Sequence, residues 1–161
     1  MVSKTLRDKI IVGVVGTVIG SGISLPFALN MGIGRADGPC MIPKILDGDI
    51  YLIEEFPGVE KRAKKGEVVI SVNPEGEQIV KRLAGTPGDT VYVPFMWYDV
   101  NQNKWIKFAE GKRVLNKGEY WVLGDNSEDS FDSRFYGPVR EIRGRLLLVY
   151  SPTTKTLKTD F

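Results

Sequence analysis

The chain has no histidine and only one cysteine, Cys40, in 161 residues. Without histidine, the Ser-His-Asp and Cys-His mechanisms are excluded. There is also no His/Cys cluster for zinc, so neither a metal nor a cofactor is expected. A general base must then be Lys, Asp, Glu or Tyr. One cysteine cannot form an intramolecular disulfide, and a lone thiol is either an inert buried group or a reactive one. Repeats and low-complexity tracts are absent. The net charge of only +2 gives no reason to invoke nucleic acid. The length suits one domain with a short appendage.

Charge is also missing from one long stretch. No residue between Lys9 and Arg35 is charged, and Ile10 to Met31 is mostly apolar. A bilayer span needs ~20 such residues. Lys4, Arg7 and Lys9 precede the run, and fewer basic residues follow it closely, which places the N-terminus in the cytoplasm and the body outside. The expected organisation is a cytoplasmic segment 1–9, a transmembrane helix 10–31, a Gly-rich linker 32–39 and an extracytoplasmic domain 40–161. The chain would thus be a single-pass protein of the cell membrane, with the lipid bilayer as a partner. A cleavable signal peptide is the rival reading. The run is long for one, and no clear small-x-small site follows.

Beyond residue 36 the pattern changes to short β-type runs separated by turns. These are Asp49 to Ile53, Glu67 to Val72, Glu77 to Ala84, Thr90 to Val93, Trp105 to Phe108, Tyr120 to Leu123 and Arg145 to Tyr150. Pro and Gly fall between them, and no long amphipathic helix is evident. The body reads as mainly β, a folded-over or partly closed barrel. Phe95-Met96-Trp97-Tyr98 has two readings. Trp97 and its neighbours rest at the lipid interface, or they pack in a hairpin with Trp105 and Phe108.

Three segments carry the chemistry. The richest is Gly124-Asp125-Asn126-Ser127-Glu128-Asp129-Ser130-Phe131-Asp132-Ser133-Arg134. In an extended chain Ser130, Asp132 and Arg134 share one side, where hydroxyl, carboxylate and guanidinium hold one another in place. Such a stretch also reads as a solvated loop with a surface ion pair. The second segment is Gly38-Pro39-Cys40-Met41-Ile42-Pro43, with Asp47-Gly48-Asp49 after it. The third runs Val80-Lys81-Arg82-Leu83-Ala84-Gly85-Thr86-Pro87-Gly88-Asp89. In a strand Ile79, Lys81 and Leu83 share a face. A lysine between large aliphatic groups is desolvated, and desolvation favours the neutral amine that a general base requires. The same spacing fits a lysine whose stem lies on apolar surface while its amine reaches water.

In this order the segments resemble the type I signal peptidase family of membrane-anchored Ser/Lys-dyad proteases. That family carries a Ser-Met-x-Pro box with a following Gly-Asp, a Lys-Arg…Pro-Gly-Asp box and a Gly-Asp-Asn…Ser-x-Asp-Ser-Arg box. The likeness runs from residue 38 to about 145. It implies a signal-peptidase-like β body, with Cys40 in the place of the nucleophilic serine and Lys81 as base. Ser130 would orient the lysine amine, and Asp132 with Arg134 would support the site. Met41 and Trp97 would lie near substrate or membrane. Arg82 would be dispensable as a base and tolerant of lysine. Gly38 falls where some members add a serine hydroxyl to the oxyanion site, so one donor is absent and the Cys40 N–H remains.

The substrates implied are exported precursor proteins with small residues before the cleavage site, cut through an acyl-enzyme. Compact relatives include pilin-maturation peptidases of conjugative transfer, some of which join ends. A thiol in place of the hydroxyl leaves three accounts. It is a working nucleophile, a replacement that slows turnover, or the mark of a weak or inactive scaffold that only binds peptides.

Overall fold

The computed structural model describes residues 30–99 and 103–161, with side chains described for all of these except 95–99 and 104–109. The expected transmembrane helix falls almost wholly on residues outside that range. Among the described residues no helix is long and apolar enough to cross a membrane.

The body is mainly β. The strands are β1 (Met31–Arg35), β2 (Ile50–Glu54), β3 (Val68–Val72), β4 (Gln78–Gly85), β5 (Thr90–Asp99), β6 (Lys104–Val114), β7 (Trp121–Leu123), β8 (Ile142–Ser151) and β9 (Thr156–Lys158). One seven-stranded sheet runs β1-β2-β8-β3-β4-β7 with β9 on β8, and β5 and β6 form a separate hairpin. Among the described residues the sheet does not close, so the body expected as a folded-over or partly closed barrel is mainly β with an open sheet. β1 and β7 are its edges, and its pairs are antiparallel.

The central strands explain the core. Val68 to Ser71 are all buried, because β3 is covered on both faces. One face holds Val69, Leu83, Val122, Val139 and Ile142. The other holds Met41, Ile45, Ile53, Val68, Ile70, Leu146 and Val149. Alternation along β4 behaves as read. Lys81 and Leu83 are buried, and Lys81 lies opposite Val69 in the ladder.

Residues 31–35 differ from expectation. Read as the end of a span and the start of a Gly-rich linker, they form β1 against β2. The glycines serve close approach there: a Cβ on Gly34 would run into the Tyr51 ring. The aromatic run 95–98 lies in β5, where Trp97 pairs with Ile106 and Tyr98 with Trp105. The backbone is therefore the hairpin of the second reading, while those side chains lie outside the described ones.

Candidate active site

Lys81 is buried at 4% exposure. Its Nζ donates to Ser130 Oγ at 3.1 Å, and Ser130 Oγ donates to Asp132 Oδ2 at 2.7 Å. The direction matters. A carboxylate only accepts, so the serine proton is committed to Asp132 and the serine can only accept from the amine. One N–H of Lys81 is thereby fixed, which orients the rest of the amine.

Asp132 is fully buried and heavily bonded. Arg134 reaches it through Nε at 2.8 Å and Nη2 at 2.7 Å, and the Gly124 N–H donates at 2.8 Å. Burial pushes its carboxyl up, but the bonds from Arg134, Gly124 and Ser130 outweigh that and hold it below the usual carboxylate range. Asp132 also caps the helical turn Ser133–Tyr136, accepting from the Arg134 N–H. The extended reading of this segment therefore holds for Ser130 and Asp132, with Phe131 between them 54% exposed. From Ser133 the chain turns helical, and Arg134 folds back onto Asp132.

Cys40 sits in the turn between β1 and β2, half-buried, with Sγ facing the Val80 carbonyl at 3.9 Å. Val80 precedes Lys81, so the Cys40 turn is seated on the strand that carries the amine. Asp47 and Asp49 build this turn. Asp47 accepts from the Gly38 N–H, and the buried Asp49 accepts from the Leu46 N–H, both at 3.0 Å. Among the described residues the Cys40 N–H has no hydrogen-bond partner, which leaves it free to face an oxyanion.

The Gly-Asp-Asn box joins these parts, a role the sequence reading left unassigned. A Cβ on Gly124 would collide with Ser130 Oγ and with the Cys40 carbonyl. Asp125 takes both arms of Arg82, at 2.6 and 2.5 Å. Asn126 holds the turn itself: its N–H donates to the Cys40 carbonyl at 3.0 Å and its side-chain amide to the Pro39 carbonyl at 3.2 Å. The spacing of the motif carried no sign of these contacts, because they bridge residues more than 40 apart.

Two expectations need correction. Met41, expected near substrate or membrane, is 3% exposed and packs with Ile45 and Ile53 in the core. Arg82 was expected to tolerate lysine. It bonds Asp125 twice and also the carbonyls of Gly66 and Phe161, and a lysine cannot reproduce a planar fork with four contacts.

The geometry sets a stability prediction. Ser130→Ala removes two hydrogen bonds, the one accepted from Lys81 and the one donated to Asp132, and should cost roughly 1–2 kcal/mol. Asp132→Ala strands the donors that converge on it and should cost roughly 3–5 kcal/mol. Equal costs in chemical denaturation would contradict the buried pair. Because the folded Asp132 carboxyl is lowered, its contribution is present above the unfolded value of about 3.9 and is lost as pH falls from there through the folded value. The stability gap between parent and Asp132→Asn should therefore narrow on acidification below about pH 4.

A family profile described as "Signal peptidase, peptidase S26" matches residues 10–103 and 97–150. The chain is 30% identical over 129 residues to signal peptidase I V of Bacillus subtilis (strain 168), covering 66% of this chain and 77% of that protein. It is 36% identical over 111 residues to mitochondrial inner membrane protease subunit 1 of Schizosaccharomyces pombe, covering 66% of this chain and 64% of that one. It is 29% identical over 150 residues to signal peptidase IB of Staphylococcus aureus (strain N315), covering 77% and 75%.

Proposed function

The chain belongs to the signal peptidase, peptidase S26, family, and from that premise we propose that it is a membrane-anchored endopeptidase that removes leader peptides from exported precursors. Peptidase activity of the signal-peptidase type follows from the family. The finer reading assigns Cys40 as nucleophile and Lys81 as base, in a chain anchored by residues 10–31 with its body outside the cytoplasm.

The observation that carries this reading is the buried Lys81 amine, held by Ser130 and Asp132 on the strand against which Cys40 is seated. The amine of Lys81 takes the thiol proton, and the sulfur attacks the scissile carbonyl. The Cys40 N–H donates to the developing oxyanion. As the C–N bond breaks, Lys81 returns its proton to the leaving amine, and a thioester remains. A water then gives a proton to Lys81 and attacks the thioester, which frees the leader carboxylate. The last proton goes back to sulfur. Ser130 keeps the amine aimed throughout, and Asp132 and Arg134 keep Ser130 in place.

Incubation of the detergent-solubilised chain with an exported precursor, read by mass spectrometry, tests this proposal. A single cut after a small residue, giving linear products, is expected. An intact precursor would contradict it. A product lighter than the linear mature chain by one water would assign end-joining, the conjugative pilin-type reaction, in its place.

A further inference from the structure

The turn that carries Cys40 is held from two sides. On one side Asn126 bonds the Cys40 and Pro39 carbonyls. On the other, Lys158 at the end of β9 donates from Nζ to the Lys44 carbonyl at 3.0 Å. Beyond Lys158 the chain passes through the exposed Thr159 and Asp160, and Phe161 is half-buried again. Phe161 packs on the buried cluster that holds Met41, Ile45, Val68 and Leu146, and Cys40 and Val80 pack on that same cluster. The segment after β8 therefore meets the Cys40 turn twice, once through a polar contact and once through a shared apolar one.

Arg82 joins the two sides. Its Nε and Nη2 hold Asp125, the neighbour of Asn126, and its Nη1 donates to a main-chain oxygen of Phe161 at 2.9 Å. Arg82 directly follows Lys81 on β4. The contacts thus close a ring. It runs from Arg82 through Asp125 and Asn126 to Pro39 and Cys40, along the turn to Lys44, across to Lys158 and Phe161, and back to Arg82. A turn fixed at one end can pivot about that end, whereas a turn fixed at both cannot. The sheet itself gains little from β9, which pairs with β8 alone and is mostly exposed. The Phe161 ring goes instead to the cluster built partly from the turn residues Met41 and Ile45.

We propose that Phe161, with Lys158, is a positioning residue: the two clasp the Cys40 turn to β4 and so hold the sulfur where Lys81 can take its proton. This rests on Cys40 and Lys81 being the dyad of the reading above. Neither Phe161 nor Lys158 acts on the substrate. Their effect is on the alignment of sulfur and amine, so it falls on turnover and not on substrate binding. Alignment is costly to lose, because a displacement of about 1 Å can slow a reaction by ~10²-fold.

The test is steady-state cleavage of an exported precursor by the full detergent-solubilised chain, well below its unfolding temperature, with thermal unfolding recorded for each variant. Phe161→Ala should lower kcat roughly tenfold and leave KM within about twofold of the parent. Phe161→Leu should recover most of that loss, because a large aliphatic group refills the contact with the cluster. Lys158→Met keeps the stem and removes only the bond to Lys44, so it should stay folded and lower kcat about two- to threefold. A folded Phe161→Ala with the parent's kcat would overturn the proposal. So would a loss confined to KM or to the unfolding temperature. If Phe161→Ala does not fold, Lys158→Met decides, and an unchanged kcat there overturns the proposal. Cys40→Ala separates the two layers. If it is inactive while Phe161→Ala and Lys158→Met cleave like the parent, the clasp falls and the dyad stands. If Cys40→Ala still cleaves, both fall.

Discussion

Lys81→Met is expected to abolish precursor cleavage while the protein stays folded. Methionine has a similar reach and sits well in an apolar slot, and Lys81 is packed on the face it shares with Leu83 and Val69. Loss of the amine removes one hydrogen bond to Ser130, whose own proton still goes to Asp132. No buried donor is stranded, so the cost in stability should stay within about 1 kcal/mol. The activity is a different matter. With no histidine in the chain, no other imidazole base can substitute. A positioned base contributes roughly 10²–10⁴-fold, and here it serves both half-reactions. Steady-state cleavage with parallel denaturation curves makes the comparison. Undiminished cleavage by Lys81→Met would refute the dyad.

The second large effect is expected at Cys40. Cys40→Ala should be inactive. Cys40→Ser should match or exceed the parent, because the resemblance to Ser/Lys-dyad proteases implies a site shaped for oxygen. A thiol ionises at ~8.5, far more readily than a hydroxyl. Serine forms an oxyester in place of a thioester and restores the hydroxyl-and-amine pairing of the family that the chain resembles. A Cys40→Ser protein much slower than the parent, at equal stability, would mean that the site has adapted to sulfur.

Much of this site was legible in the chain. Alternation put Lys81 on the buried face of β4, and the i, i+2 spacing put Ser130 and Asp132 inward. Strand positions followed from Val/Ile runs between Pro and Gly. What stayed hidden is long-range. The sequence marked the Gly-Asp-Asn box but did not reveal that Asp125 holds Arg82 or that Asn126 holds the Cys40 turn, because both contacts join distant segments. β1 was hidden for another reason: its glycines resemble a linker unless the Tyr51 ring that fills their space is known. β9, Thr156–Lys158, is too short and polar to stand out. How far the sheet closes, with β1 and β7 left as edges among the described residues, depends on geometry that no local pattern encodes.

An acyl-enzyme on Cys40 can be caught by acid quenching during turnover of a precursor, followed by intact-mass and peptide-level analysis. Slow release of a thioester should let the adduct accumulate. A species heavier by the leader peptide is expected, with the added mass on the peptide containing Cys40, and no such species in Cys40→Ala. Cleavage by Cys40→Ala, or turnover by the parent with the added mass on another residue, would contradict it.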